Sequence, residues 1–144
     1  MTSDVGIVIP MYNESKVIKN VVIKLKEIRK NDIIILVNDG SKDETLEICK
    51  TIPGVYILNH VTNLGAGAAQ QTGIEFSKRL GLNYVVTYDA DGQHDANDIE
   101  VFVNLIKEKN YDLVLGSRFL GSTINMPKLK GLVLKTSIWF GYIF

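Results

Sequence analysis

Short runs of aliphatic and β-branched residues recur along this chain, separated by stretches with apolar residues at helical spacing. Val5–Ile9 is the first run, closed by Pro10; Ile33–Val37 is the second and Val55–Leu58 the third. A fourth opens at Tyr84 with Val85, Val86, Thr87 and Tyr88, and a fifth covers Leu113–Gly116. Runs this short and continuous predict strands covered on both faces, as in a parallel sheet. Between the first two, Val17, Val21, Leu25 and Ile28 are spaced for an amphipathic helix with lysines among them, and Ser15 is placed to cap it. A second helix is predicted from a Ser41 or Asp43 cap to about Thr51, with Pro53-Gly54 ending it. A third covers Gly65–Leu80, very small in its first turns, with Gly81 as C-cap; a fourth covers about Asn97–Lys109. This repetition predicts an α/β domain with a mostly parallel sheet flanked by helices.

The regularity ends after Ser117. Phe119–Lys128 is predicted to be a loop, and Leu129–Phe144 is apolar with Lys130 and Lys135 as its charges. Two readings stand for that tail: one more core helix, or an interfacial helix with Trp139, Phe140 and Tyr142 at a membrane surface. It is shorter than the roughly 18 apolar residues of a spanning helix. The expected organisation is a ligand-binding domain over residues 1–120, followed by a loop and apolar helix over 121–144.

Four of the predicted strands run into polar clusters: Pro10-Met11-Tyr12-Asn13-Glu14, Asn38-Asp39-Gly40-Ser41, Asp89-Ala90-Asp91 and Gly116-Ser117-Arg118. Alone, each has a plain structural reading as a turn, a cap or a paired surface arginine. In a parallel sheet all four fall on the carboxyl edge, where open α/β sheets bind ligands. Two carboxylates one residue apart repel unless a cation lies between them, and hard oxygen ligands of this kind suit Mg²⁺ or Mn²⁺ with substrate phosphates. Asp39 can accept a hydrogen bond from a base imide N–H, Tyr12 offers a ring face, and Arg118 can fork onto phosphate oxygens. The set fits a nucleoside diphosphate.

Composition narrows the classes. The chain has 144 residues, 46% hydrophobic and 22% charged, which suits one soluble domain. Sixteen acidic residues balance 16 basic ones, against a nucleic-acid binder. Cys49 is the single cysteine, so no intrachain disulfide forms and a reducing compartment is expected. Met1–Asp4 shows no signal-peptide pattern, so a cytoplasmic location is expected, at the cytoplasmic face of a membrane if the tail is interfacial. An exposed apolar tail would also favour self-association. The other polar residues read plainly: His60 as a loop histidine, Cys49 as a small core residue, and Lys24, Lys26, Arg29 and Lys30 as a solvated helix face.

The motifs Val8-Ile9-Pro10-Met11-Tyr12-Asn13-Glu14, Val37-Asn38-Asp39-Gly40-Ser41, Asn63-Leu64-Gly65, Asp89-Ala90-Asp91-Gly92-Gln93-His94 and Gly116-Ser117-Arg118-Phe119 stand in this order. With them the chain resembles family 2 glycosyltransferases of the GT-A fold. More narrowly, it is similar to the branch of dolichyl-phosphate mannose or glucose synthases and polyprenyl-phosphate glycosyltransferases. The resemblance implies inverting transfer of a sugar from a UDP- or GDP-sugar to a polyprenyl or dolichyl phosphate. It implies a base contact at Asp39, with Pro10, Tyr12 and Glu14 beside the nucleotide and the Asn63–Gly65 turn near it. Asp89 and Asp91 would hold the metal with Gln93 close by, and Arg118 would meet the diphosphate or the acceptor phosphate. His94, next to Gln93, would be structural.

The chain departs from the family pattern in two ways. Asn38 stands where two successive aspartates are common, and the chain stops where family members continue into acceptor-side elements. The expectation is therefore a donor half without most of an acceptor half. Other readings are a nucleotide-sugar-binding module without turnover, a transferase acting on a sugar hydroxyl, a nucleotidyltransferase, and a dinucleotide-binding domain. The last rests on Gly65-Ala66-Gly67 but has Gln70 at its third glycine position. Asp39→Ala is expected to weaken nucleotide binding more than folding.

Overall fold

The computed structural model describes residues 4–92 and 94–116. The chain divides into two units, Met1–Tyr111 and Asp112–Phe144. The first alternates strand and helix throughout: β1 (Val5–Met11), α1 (Ile18–Ile28), β2 (Ile33–Asp39), α2 (Thr45–Lys50), β3 (Tyr56–His60), α3 (Ala66–Arg79), β4 (Tyr84–Thr87) and α4 (Asp98–Lys109). The four strands form one parallel sheet in the order β3-β2-β1-β4. The chain builds outward from β1 to β3, then crosses back through α3 to place β4 on the other side of β1. The strand order thus reverses between β1 and β4, and ligands of open α/β sheets bind at such a switch point.

Both faces of the sheet are covered, as the continuous apolar runs require. One layer packs Ile7, Ile9, Ile34 and Leu36 against Ile18, Val22 and Leu25 of α1, Cys49 of α2, and Ile99 and Val103 of α4. The opposite layer packs Val8, Ile35 and Val37 against Ala69 and Phe76 of α3. That helix lies close to the sheet because of Gly73, where a Cβ would run into the Val8 methyls and come within 3.2 Å of Val37. Gly73→Ala is expected to overpack this layer at a cost of about 1–3 kcal/mol, lowering the melting temperature by roughly 5–15 °C in a thermal scan. A melting temperature unchanged by the substitution would show that α3 can lift without penalty.

α3 ends as expected. The Gly81 N–H donates to the Lys78 carbonyl and the Leu82 N–H to that of Ser77, the paired bonds of a Schellman stop, with Gly81 at φ +74°.

Several boundaries differ from expectation. β1 continues through Pro10 to Met11. The Tyr88 N–H donates to the Val8 carbonyl, so alternate residues of β1 turn their backbone toward β4. Pro10 would aim its missing N–H past Val8–Thr87, the last pair of that ladder, where no donor is needed. β3 likewise runs further than predicted and carries His60 to the sheet edge opposite Asp39. β4 is a half-buried edge strand among the described residues. Ser15 gives no side-chain cap to α1; its backbone N–H donates to Asp43 instead. The strand expected at Leu113–Gly116 is absent from the described residues: a strand needs a ladder, and here Leu113 and Leu115 are 70% and 79% exposed. The predicted loop and apolar helix beyond Ser117 lie outside the described residues, as do Gln93 and Arg118. Among the described residues, no helix is long and apolar enough to cross a membrane.

Candidate donor site

The carboxyl ends of the strands open into a cleft of about 420 Å³. Pro10, Tyr12, Glu14, Asp39, Asn63, Gly65, Asp89 and Asp91 all line it, joined by Met11, Ala66, Ala69 and Ala90. Every described residue chosen from the sequence as a site candidate therefore meets the others around one space.

The β1–α1 loop forms one wall, and it is laced to the β2–α2 loop. Asn13 adopts φ +58°, a left-handed conformation that asparagine tolerates. Its backbone N–H donates to Ser41 Oγ, and its side-chain oxygen accepts from the Lys42 N–H. The Glu14 N–H donates to Thr45 Oγ1, and the Ser15 N–H to Asp43 Oδ2. Asp43 also accepts from Thr45. Partial desolvation opposes its ionisation, but these bonds win and draw its pKa down to about 2. Tyr12 remains 40% exposed, its ring available to a planar ligand. Glu14 is pushed above the ordinary carboxylate range, first by desolvation and then by the negative charges of Asp91 and Asp43.

The opposite wall hangs on Asp39. This carboxylate, 2% exposed at the end of β2, accepts the Leu64 N–H at 2.9 Å and the Gly65 N–H at 2.8 Å. His60 Nδ1 lies 2.7 Å from it. Burial raises the Asp39 pKa, yet the bonds from Leu64, His60 and Gly65 outweigh it and leave it lowered. A carboxylate has about four acceptor positions, so most are filled from within the protein. The neighbouring Asn38 donates its side-chain amide to Asn59, while its own oxygen is buried without a hydrogen-bond partner. Gly40 lets the two loops touch: a Cβ there would lie 2.5 Å from the Thr62 carbonyl carbon.

Asp89, Ala90 and Asp91 follow β4 into the cleft. Asp89 and Asp91 are exposed, while Ala90 is buried beneath them. His94 Nε2 approaches Asp89 Oδ2 at 3.0 Å, and the Tyr88 hydroxyl donates to the His94 carbonyl at 2.7 Å, folding the turn after the acidic pair back onto the strand. Among the described residues no group of three or more His, Cys, Asp or Glu is arranged to hold a metal ion by itself. The donor set is two exposed carboxylates at the rim of a cleft. That fits Mg²⁺ or Mn²⁺, which keep waters and take remaining ligands from substrate phosphates.

His60, Thr72 and Asn59 were not singled out from the sequence as site residues. The available signal was register: parallel pairing sets Asp39 beside His60 and Asn38 beside Asn59.

The model of the family "Glycosyl transferase family 2" matches residues 6–133. The chain belongs to this family. A UDP-N-acetylglucosamine–dolichyl-phosphate N-acetylglucosaminyltransferase of Methanococcus voltae is 36% identical over 159 residues, covering 94% of this chain and 63% of the relative. An uncharacterised protein of Methanocaldococcus jannaschii is 36% identical over 146 residues, 96% of this chain and 59% of that protein. The family member described here thus spans about three-fifths of the length of these relatives. Among solved structures, S. aureus TarS 1-349 in complex with UDP superposes with a TM-score of 0.61 at 22% identity, over 89% of this chain and 40% of that one. The shared architecture is the GT-A fold.

Proposed function

We propose that this chain carries the donor site of an inverting glycosyltransferase that moves a sugar from a UDP- or GDP-sugar onto a polyprenyl or dolichyl phosphate. The observation that carries the reading is the meeting of Asp89 and Asp91 with Pro10, Tyr12, Glu14 and Asp39 in one cleft at the switch point. Similarity to a dolichyl-phosphate transferase supports the lipid-phosphate acceptor.

In this reading Tyr12 stacks on the base and Asp39 reaches it with what acceptor capacity its internal bonds leave. Asp89 and Asp91 would hold a divalent cation, which when bound neutralises charge on the leaving diphosphate. Arg118 would meet the same diphosphate or the acceptor phosphate. The acceptor phosphate oxygen attacks the anomeric carbon from the face opposite the diphosphate. A new carbon–oxygen bond forms, the bond to the diphosphate breaks, and the nucleoside diphosphate leaves with the bonding pair. Because a polyprenyl phosphate is already anionic, this step needs no general base; a sugar hydroxyl would need one. In this reading an interfacial 129–144 segment would contact the membrane holding that acceptor.

The test is a thermal-shift screen of UDP, GDP, their sugars and NAD, with Mn²⁺ and with chelator. Stabilisation by a UDP or GDP compound that chelator removes is expected: about 2.7 kcal/mol at a ligand concentration 100 times its Kd. A response to NAD alone would replace the donor reading with the dinucleotide one.

A further inference from the structure

We propose that His60 is a positioning residue for the donor cleft, working with Asp39 and Thr72 as a clamp on the Asn63–Gly65 turn. The clamp is a physical claim about the fold; its role at the cleft rests on the donor-site reading above.

The geometry comes from three elements. His60 ends β3, Asp39 ends β2, and Thr72 sits on α3. The imidazole bridges them, with Nδ1 2.7 Å from Asp39 Oδ1 and Nε2 3.0 Å from Thr72 Oγ1. The two side chains are nearly enclosed, His60 at 12% and Asp39 at 3% exposure. An ionised carboxylate only accepts, so Nδ1 carries the proton in that bond. Nε2 then meets a hydroxyl that can serve either ring state.

Besides this clamp, the turn has a local bond from the Gly65 N–H to Asn63 Oδ1 and the close backbone approach of Gly40. Leu64 is 60% exposed and Val61 fully exposed, so apolar packing does not pin this segment. Gly65 sits at φ +95° with nothing near its Cβ position, a conformation with no steric lock. What ties it to the sheet is Asp39, accepting the Leu64 and Gly65 N–H groups one on each oxygen. His60 in turn fixes the carboxylate and ties it to α3. Asn63 and Gly65 line the cleft. A rotated Asp39 would release the turn and move that wall, without any His60 contact to the ligand.

The test uses His60→Leu, His60→Asn and Thr72→Val in this chain, with two readouts. One is amide hydrogen exchange at Leu64 and Gly65 without ligand, relative to α3 amides from Ala69 to Phe76. The other is calorimetric affinity for UDP and GDP with Mn²⁺. His60→Leu should speed exchange at the two turn amides by about tenfold against α3 and weaken nucleotide binding by about the same factor. His60→Asn, whose amide can reach the place of Nδ1, should restore both to within about threefold of wild type, since it re-forms the bond to Asp39. Thr72→Val, which removes only the outer link, should shift both in the same direction and less.

Turn protection unchanged in both His60→Leu and Thr72→Val would overturn the clamp. Equal loss in the asparagine and leucine variants would do the same. Lost protection with unchanged affinity would overturn the positioning role while leaving the clamp. If wild type binds neither nucleotide, the donor reading and the positioning role fall together, and the exchange data still decide the clamp.

Discussion

Asp91→Asn is expected to remove the metal-dependent part of nucleotide affinity, on the order of 100-fold, while leaving the fold intact. Asp91 lies exposed in the cleft beyond β4, so its replacement disturbs no core packing. The loss arises because the proposed site has only two protein carboxylates. With one neutralised, a cation gains little from the protein beyond what it has in water with the diphosphate. Titration calorimetry with UDP, in Mn²⁺ and in chelator, measures this as the collapse of the difference between the two conditions. If the variant keeps the wild-type difference, the cation is held elsewhere. A second signature follows from charge. Glu14 is raised by desolvation first and by Asp91 second, so removing that negative charge should bring the Glu14 pKa down toward its ordinary range.

Asp39→Ala is expected to cost more in stability than in any ligand contact, which revises the expectation drawn from sequence. The substitution takes the acceptor from the Leu64 N–H and from His60 Nδ1, while the Gly65 N–H keeps Asn63 Oδ1. Stranding a buried donor costs about 1–3 kcal/mol, less where water enters as it can at Leu64, so about 2–3 kcal/mol in total is expected. Against a typical stability of about 5–15 kcal/mol, that is a large fraction of the total. Urea denaturation at neutral pH reads the difference directly; a midpoint within error of wild type would show that the turn finds other partners. The pH dependence has a definite sign. The folded Asp39 pKa is lowered below its unfolded value of 3.8, so its contribution is present above that value. It is lost as pH falls through the lower folded value. The alanine variant should therefore show a shallower acid limb below about pH 4 than wild type.

The parallel α/β plan was readable because its signals are local. Continuous apolar runs such as Ile33–Val37 and the amphipathic spacing of Val21 and Leu25 each state their own structure. The convergence of Tyr12, Asp39, Asp89 and Asp91 followed from one further rule, that parallel strands share a carboxyl edge. What was not readable depended on pairings between distant residues. Pro10 looks like a strand end until the short β4 ladder shows that its missing donor has no acceptor to meet. His60 looks like a loop residue until strand register sets it against Asp39. Ser15 looks like a cap because serine commonly is one, but Asp43 claims its backbone. Leu113–Gly116 has strand composition without a ladder partner among the described residues.

The lacing of Asn13, Glu14 and Ser15 to Ser41, Lys42, Asp43 and Thr45 has a consequence for how such proteins can be altered. Segments 10–15 and 41–45 behave as one inheritable cassette. Three of the four bonds need the side chains of Ser41, Asp43 and Thr45 as acceptors and the fourth needs that of Asn13, so a replacement of 41–45 lacking those three residues is expected to loosen the wall that carries Tyr12 and Glu14. Recombination that keeps the two segments from the same parent keeps the donors and acceptors of these bonds together.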